Sequence, residues 1–162
     1  MPGRYDGVAM SRNAEIAAQF DEIADRLLLL GEGWFKVRAY RRAAEVIRTA
    51  SEDVATLAAE GRLKTLPGVG DAIAQKISDY LATGHIPLLD RLRAQTSDDE
   101  LALLRAGLAP AQVREVREKV GVTAPEALQA VLAQGKAALS EKTLAALRQA
   151  LASNVGDGTP PV

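Results

Sequence analysis

The 162-residue chain carries 20 Lys and Arg, 21 Asp and Glu, one His and no Cys, for a formal net charge of −1. The missing cysteines exclude a disulfide framework, a thiol nucleophile and Cys-ligated zinc or iron–sulfur sites, and a single histidine (His85) excludes a two-histidine protease helix. With 48% apolar but only 4% aromatic residues, a core must come from Ala, Leu, Val and Ile, and the length suits one compact domain or two very small ones.

Residues 1–11 have no apolar signal core and read as a flexible lead-in. Ile16, Phe20, Ile23, Ala24, Leu27 and Leu28 then recur at helical spacing, and Gly31 supplies a stop. A second helix is expected from about Val37 to Ala50, burying Val37, Tyr40, Ala43, Ala44 and Ile47. Ser51-Glu52-Asp53 opens a short third helix that stops near Gly61. Asp71 is expected to cap a fourth, with Ile73, Ala74, Ile77, Tyr80 and Leu81 inward and Gly84 at its end.

Past Gly84 the texture changes. Pro87 suits a first helical position. Ser97 with Glu100, and Thr123 with Glu126, form capping boxes. Pro110 starts a helix that ends before Gly121, and Ser140 caps the last one, to about Ala152. The Gly/Pro-rich residues 153–162 read as a disordered tail. The pattern predicts an all-α fold of about eight short helices in two small units. The first covers 12–92, the second 93–152. No apolar run is long enough to cross a membrane, and the cytoplasm is the expected compartment.

Two segments carry chemistry. In Leu66-Pro67-Gly68-Val69-Gly70-Asp71-Ala72-Ile73-Ala74-Gln75-Lys76-Ile77, a two-glycine turn separates two helices. Glycine permits positive φ and leaves no Cβ near the backbone. The amides of such a turn, with the helix N-terminus behind it, favour a phosphate oxygen. This is the helix-hairpin-helix pattern, here over 64–83, which holds duplex backbone without reading sequence. A dinucleotide fingerprint does not fit, because no strand precedes the glycines. The alternative is an ordinary interhelical loop.

The second segment is Phe35-Lys36-Val37-Arg38-Ala39-Tyr40-Arg41-Arg42-Ala43-Ala44. From Lys36 to Arg48 it has five basic residues and one acid, Glu45. Near-neutral overall charge argues against a nucleic-acid partner only if charge is evenly spread. Here it is concentrated. The alternative is a solvated amphipathic face.

Over residues 12 to about 92 these segments, with Asn13-Ala14-Glu15-Ile16 and Leu81-Ala82-Thr83-Gly84, resemble the amino-terminal region of family X DNA polymerases, bacterial type. The resemblance implies a helical domain that binds gapped or nicked duplex at the 5′-phosphate in DNA repair, alongside repair proteins and at the nucleoid. It aligns Lys36 and Tyr40 with residues of the 5′-phosphate pocket; together with Arg38 and Arg41 of the basic segment and Gly68, Val69, Gly70 and Lys76 of the hairpin, these are the expected DNA contacts. It places the backbone carbonyls of Lys64, Leu66 and Val69 around a monovalent cation (Na+ or K+), with no other cofactor. It aligns Lys76 with a Schiff-base lysine that removes 5′-deoxyribose phosphate or opens abasic sites. Such a lysine must be neutral to attack, which cationic neighbours and burial promote. The alternative for Lys76 is a surface lysine on phosphate. Phe35, Ala72 and Leu88 stand where the family's pocket carries other basic residues, which bears on lyase activity more than on binding.

The second half is similar to the next domain of that family, the fingers, with a degenerate hairpin at Leu103-Leu104-Arg105-Ala106-Gly107-Leu108-Ala109-Pro110. Ala109 replaces its second glycine. The resemblance ends before the palm and phosphoesterase domains, so neither polymerisation nor nuclease chemistry is expected. Three readings remain: a non-catalytic DNA-binding module, a lyase through Lys76, and a helical protein-interaction module.

Overall fold

The computed structural model describes residues 2–121, 125–135 and 139–158. Among them are nine α-helices and no strand. They are α1 (Pro2–Leu29), α2 (Trp34–Thr49), α3 (Val54–Ala59), α4 (Asp71–Thr83), α5 (Pro87–Gln95), α6 (Asp98–Arg105), α7 (Pro110–Lys119), α8 (Pro125–Gln134) and α9 (Glu141–Gly158), with a 3₁₀ turn at Leu63–Thr65.

The chain forms two compact units. One comprises Met1–Leu28 with Glu32–Gln95, the other Leu29–Gly31 with Thr96–Val162. In the first, α1 buries Ile16, Ala17, Phe20, Ile23, Ala24 and Leu27, and α2 buries Val37, Ala43, Ala44 and Ile47. Tyr40 is only half-buried. The short helix α3 begins at Asp53, whose carboxylate accepts from the Ala55 N–H at 2.9 Å. A cap of this kind contributes about 1 kcal/mol. Buried Asn13 fixes the approach to α3 by accepting from the Val54 N–H (3.0 Å) and donating to the Glu52 carbonyl (2.9 Å). The 3₁₀ turn packs on both α3 and α4.

The second unit closes around Leu101, Leu103, Leu108, Val113, Val116, Leu128, Leu147 and Leu151. Ser97 and Glu100 make the expected capping box, with bonds of 3.0 and 3.1 Å. Ser140 accepts from the Thr143 N–H at the start of α9, and Glu115 of α7 accepts from the Ser140 and Thr143 hydroxyls. Those donors, together with the Ser140 N–H, hold the Glu115 carboxyl below its ordinary value.

Several boundaries differ from the sequence expectation. α1 starts at Pro2, inside the segment expected to be flexible, and α9 reaches Gly158 rather than stopping near Ala152. Extending an existing helix requires far less than nucleating one. Asp71 does not cap α4. The cap position belongs to Gly70, no side chain caps it, and the Asp71 carboxylate turns instead to Lys64. Thr123 of the second expected capping box and residues 159–162 of the expected tail lie outside the described residues.

Candidate functional site

The hairpin is a chain of consecutive tight turns. The Leu66 N–H donates to the Leu63 carbonyl and the Val69 N–H to that of Leu66, both at 3.1 Å. Val69 is 5% exposed and pins the loop into the core, a burial that contributes about 1.5–3 kcal/mol. Gly68 has φ of +81°, the left-handed conformation that side chains resist. Gly70 is different. Its φ is −97° and a Cβ there would meet nothing within 4 Å. The expectation that both glycines serve positive φ therefore holds for Gly68 alone. What Gly70 leaves bare is the backbone at the entrance to α4.

That entrance is open. The Gly70 carbonyl accepts the first intrahelical bond, from the Ala74 N–H at 2.9 Å, and among the described residues no side chain accepts from the first-turn amides. Those N–H groups and the helix dipole favour an anion. At its rim the Lys64 ammonium bonds the Asp71 carboxylate at 2.8 Å. The pair raises the Lys64 ammonium above its ordinary value and lowers the Asp71 carboxyl below its own, through the hydrogen bond first and the charge second.

The basic helix α2 has two different rows of cations. Arg41 donates to the Asp21 carboxylate and carbonyl, each at 3.3 Å, and also to Asp25. Burial opposes the charge, but the hydrogen bonds and charges of Asp25 and Asp21 prevail and raise the Arg41 guanidinium above its usual value. Arg48 pairs with Asp21 and Glu45. These two arginines strap α2 to α1. Lys36 is two-thirds exposed, with Nζ 3.9 Å from Glu32. The Arg38 guanidinium lies 5.8 Å from the Trp34 ring centroid. The side chain of Arg42 crosses the hairpin glycine: a Cβ on Gly68 would stand 2.8 Å from Arg42 Nε.

Tyr40 joins the helix to the hairpin. Its ring stacks on the buried Phe20 at 6.0 Å between centroids, 16° from parallel, and Lys76 Nζ of α4 lies 5.9 Å from its centroid. Lys76 and Tyr40, to which the resemblance gave separate roles, are thus neighbours in space. Gly68, Val69, Gly70 and Lys76 share one hairpin, while Arg41 faces the acids of α1. His85 is exposed, 3.6 Å from Asp90.

Sequence reasoning missed two features. Trp34 and Phe35 are 68% and 88% exposed, the large apolar side chains left outside among the described residues. Their position before the first buried residue of α2, Val37, was the available signal. The contact of Arg42 with Gly68 had no sequence signal, because it joins residues far apart in the chain.

No cluster of three or more His, Asp or Glu side chains able to hold a metal occurs among the described residues. The carbonyls of Lys64, Leu66 and Val69 lie along the two successive turns of the hairpin. That of Leu66 accepts the Val69 N–H and keeps a second lone pair. An all-oxygen set of neutral donors fits a hard monovalent cation. No helix among the described residues is long and apolar enough to cross a membrane.

Residues 11–86 match the family model described as a helix-hairpin-helix domain. The match takes in α2, the hairpin and α4, and it makes this stretch a helix-hairpin-helix region, of a kind that generally binds nucleic acid.

Proposed function

We propose that the first unit docks on the backbone phosphates of nicked or gapped duplex DNA, without reading base sequence, as part of DNA repair, and that the family X resemblance reflects this shared task. The observation that carries the reading is the uncapped start of α4 behind the Gly68 turn, with Arg42 of α2 lying across Gly68 and Lys76 on α4 itself. Phosphate contacts of this kind position a protein without specifying sequence. The preference for an interrupted duplex rests on Trp34 and Phe35. Exposed aromatics beside arginine offer stacking surfaces to unpaired bases, each worth about 1–3 kcal/mol. A monovalent cation on the carbonyls of Lys64, Leu66 and Val69 would add positive charge at the same hairpin.

The test is binding to a gapped duplex, with and without a 5′-phosphate, against intact duplex across a salt series. About four phosphate contacts give a log–log slope near −4. A flat salt response points instead to a protein partner and overturns the reading.

A second reading, a 5′-deoxyribose-phosphate lyase through Lys76, follows from the family X resemblance. The neutral amine would attack the sugar aldehyde, lose water to give a Schiff base and permit β-elimination of the 3′-phosphate. The Tyr40 ring face attracts a cation, which suits Lys76 to phosphate contact better than to nucleophilic attack. Borohydride trapping on a 5′-incised abasic duplex decides it. An adduct that vanishes in Lys76→Ala supports the lyase, and no adduct with the unmodified protein removes it.

A further inference from the structure

We infer that Arg42 is a phosphate-binding residue of the hairpin, completing with a guanidinium what the turn amides begin; the inference rests on the DNA-docking reading above. Trp34, Arg38 and Arg42 recur at intervals of four and so lie along one row of α2. Arg41 and Arg48 lie on another, where Asp21, Asp25 and Glu45 neutralise them. Arg42 is exposed, and among the described residues no carboxylate pairs with it. Its stem crosses Gly68, with Cγ, Cδ and Nε at 3.4, 3.1 and 2.8 Å from the position a Cβ would take. This contact exists only because residue 68 has no side chain. The left-handed φ of Gly68 and the space above it serve one arrangement: a planar, permanently charged fork beside the turn whose backbone opens α4. Arginine suits that place because its fork matches two phosphate oxygens at once, whereas lysine offers a point charge. Along the same row, Trp34 lies eight residues back, about 12 Å at 1.5 Å per residue. A strand held at Arg42 can therefore carry its neighbouring unpaired bases toward the exposed aromatics.

The experiment is fluorescence anisotropy on a gapped duplex over a salt series, with Arg42→Ala, Arg42→Lys and Gly68→Ala. Arg42→Ala is expected to weaken binding roughly tenfold, as for one charged hydrogen-bonding group. The salt slope should also shrink by about 0.9, one phosphate contact. Arg42→Lys should restore the slope and only part of the affinity. A Cβ at position 68 must displace Arg42, so the Gly68→Ala and Arg42→Ala losses should fall short of additive. A purely structural role would lower affinity and leave the slope unchanged, which overturns the assignment. Wild-type affinity in Arg42→Ala overturns it too while leaving the docking reading intact. If the unmodified protein shows no salt-dependent binding, both fall together.

Discussion

Two glycine turns, one in each unit, share a plan and differ in how their helices begin and in the charges beside them. In the first, Val69 is buried beside Gly68 at φ +81°. In the second, Leu108 is buried beside Gly107 at φ +117°. Each turn leads directly into a helix. In neither turn does the cap residue supply a side-chain cap, but in the second the Gln112 side chain reaches back 2.8 Å to accept the Ala109 N–H. Pro110 also occupies the first helical position and has no N–H to offer. The charges differ likewise. Arg42 crosses the first turn and among the described residues has no carboxylate partner, while Arg117 of α7 binds Glu100 at 3.1 Å. An apolar anchor and a left-handed glycine make a hairpin. On the docking reading, the amides that open α4 and the adjacent Arg42 are what let the first hold a phosphate.

The strongest way to break that comparison is to strain both turns equally. Valine at a left-handed position costs about 1–3 kcal/mol, so Gly68→Val and Gly107→Val should each lower the melting temperature by several degrees. Only Gly68→Val should abolish tight DNA binding, by roughly thirtyfold or more, about 2 kcal/mol. Equal losses for the two variants would show that the second turn also touches DNA. Gly70→Ala separates binding from stability more cleanly. Its φ of −97° suits alanine and its surroundings are empty. The melting temperature should stay put while a methyl group in the phosphate's approach weakens binding roughly fivefold, about 1 kcal/mol. In the second unit Gln112→Ala should do the reverse. It removes a cap worth about 1 kcal/mol and leaves DNA affinity unchanged, as thermal melts and anisotropy on the same samples would show.

The sequence displays the hairpin well, because its requirements are local. Val69 must be apolar, Gly68 must adopt positive φ, and Ile73 and Ile77 must follow at helical spacing. The all-helical character is equally legible from the capping residues and from the periodicity of Ile16 through Leu27. The division of the α2 arginines is not. Arg41 and Arg42 are adjacent in sequence and equal in charge, yet one points to Asp21 and Asp25 and the other to Gly68. Which side each takes depends on where α1 and the hairpin lie against α2, and that is a tertiary fact. Asp71 is illegible for a related reason. As a helix-opening acid it looks like a cap, but Gly70 already occupies the cap position and Lys64, seven residues earlier, offers a cation.

Asp71 gives the smallest effect and the finest comparison, because the second turn has uncharged Pro110 at the matching position. A carboxylate at the mouth of an anion site opposes the phosphate and engages Lys64, which would otherwise be available. Both groups are exposed and screened by salt, so the effect is modest. Asp71→Asn should tighten DNA binding about two- to threefold at low salt, and less as salt rises. The pH dependence follows from the direction of the shift. Lys64 holds the Asp71 carboxyl below its ordinary value of 3.8. The ion pair therefore contributes its stability above that ordinary value and loses it as pH falls through the lower folded one. Between pH 5 and 8 the carboxylate keeps its charge, and the advantage of Asp71→Asn should be constant across that window. An advantage that varied within it would assign the effect to a different titrating group. No advantage at any salt concentration would mean that the phosphate sits beyond the reach of Asp71, nearer Arg42 than the first turn of α4.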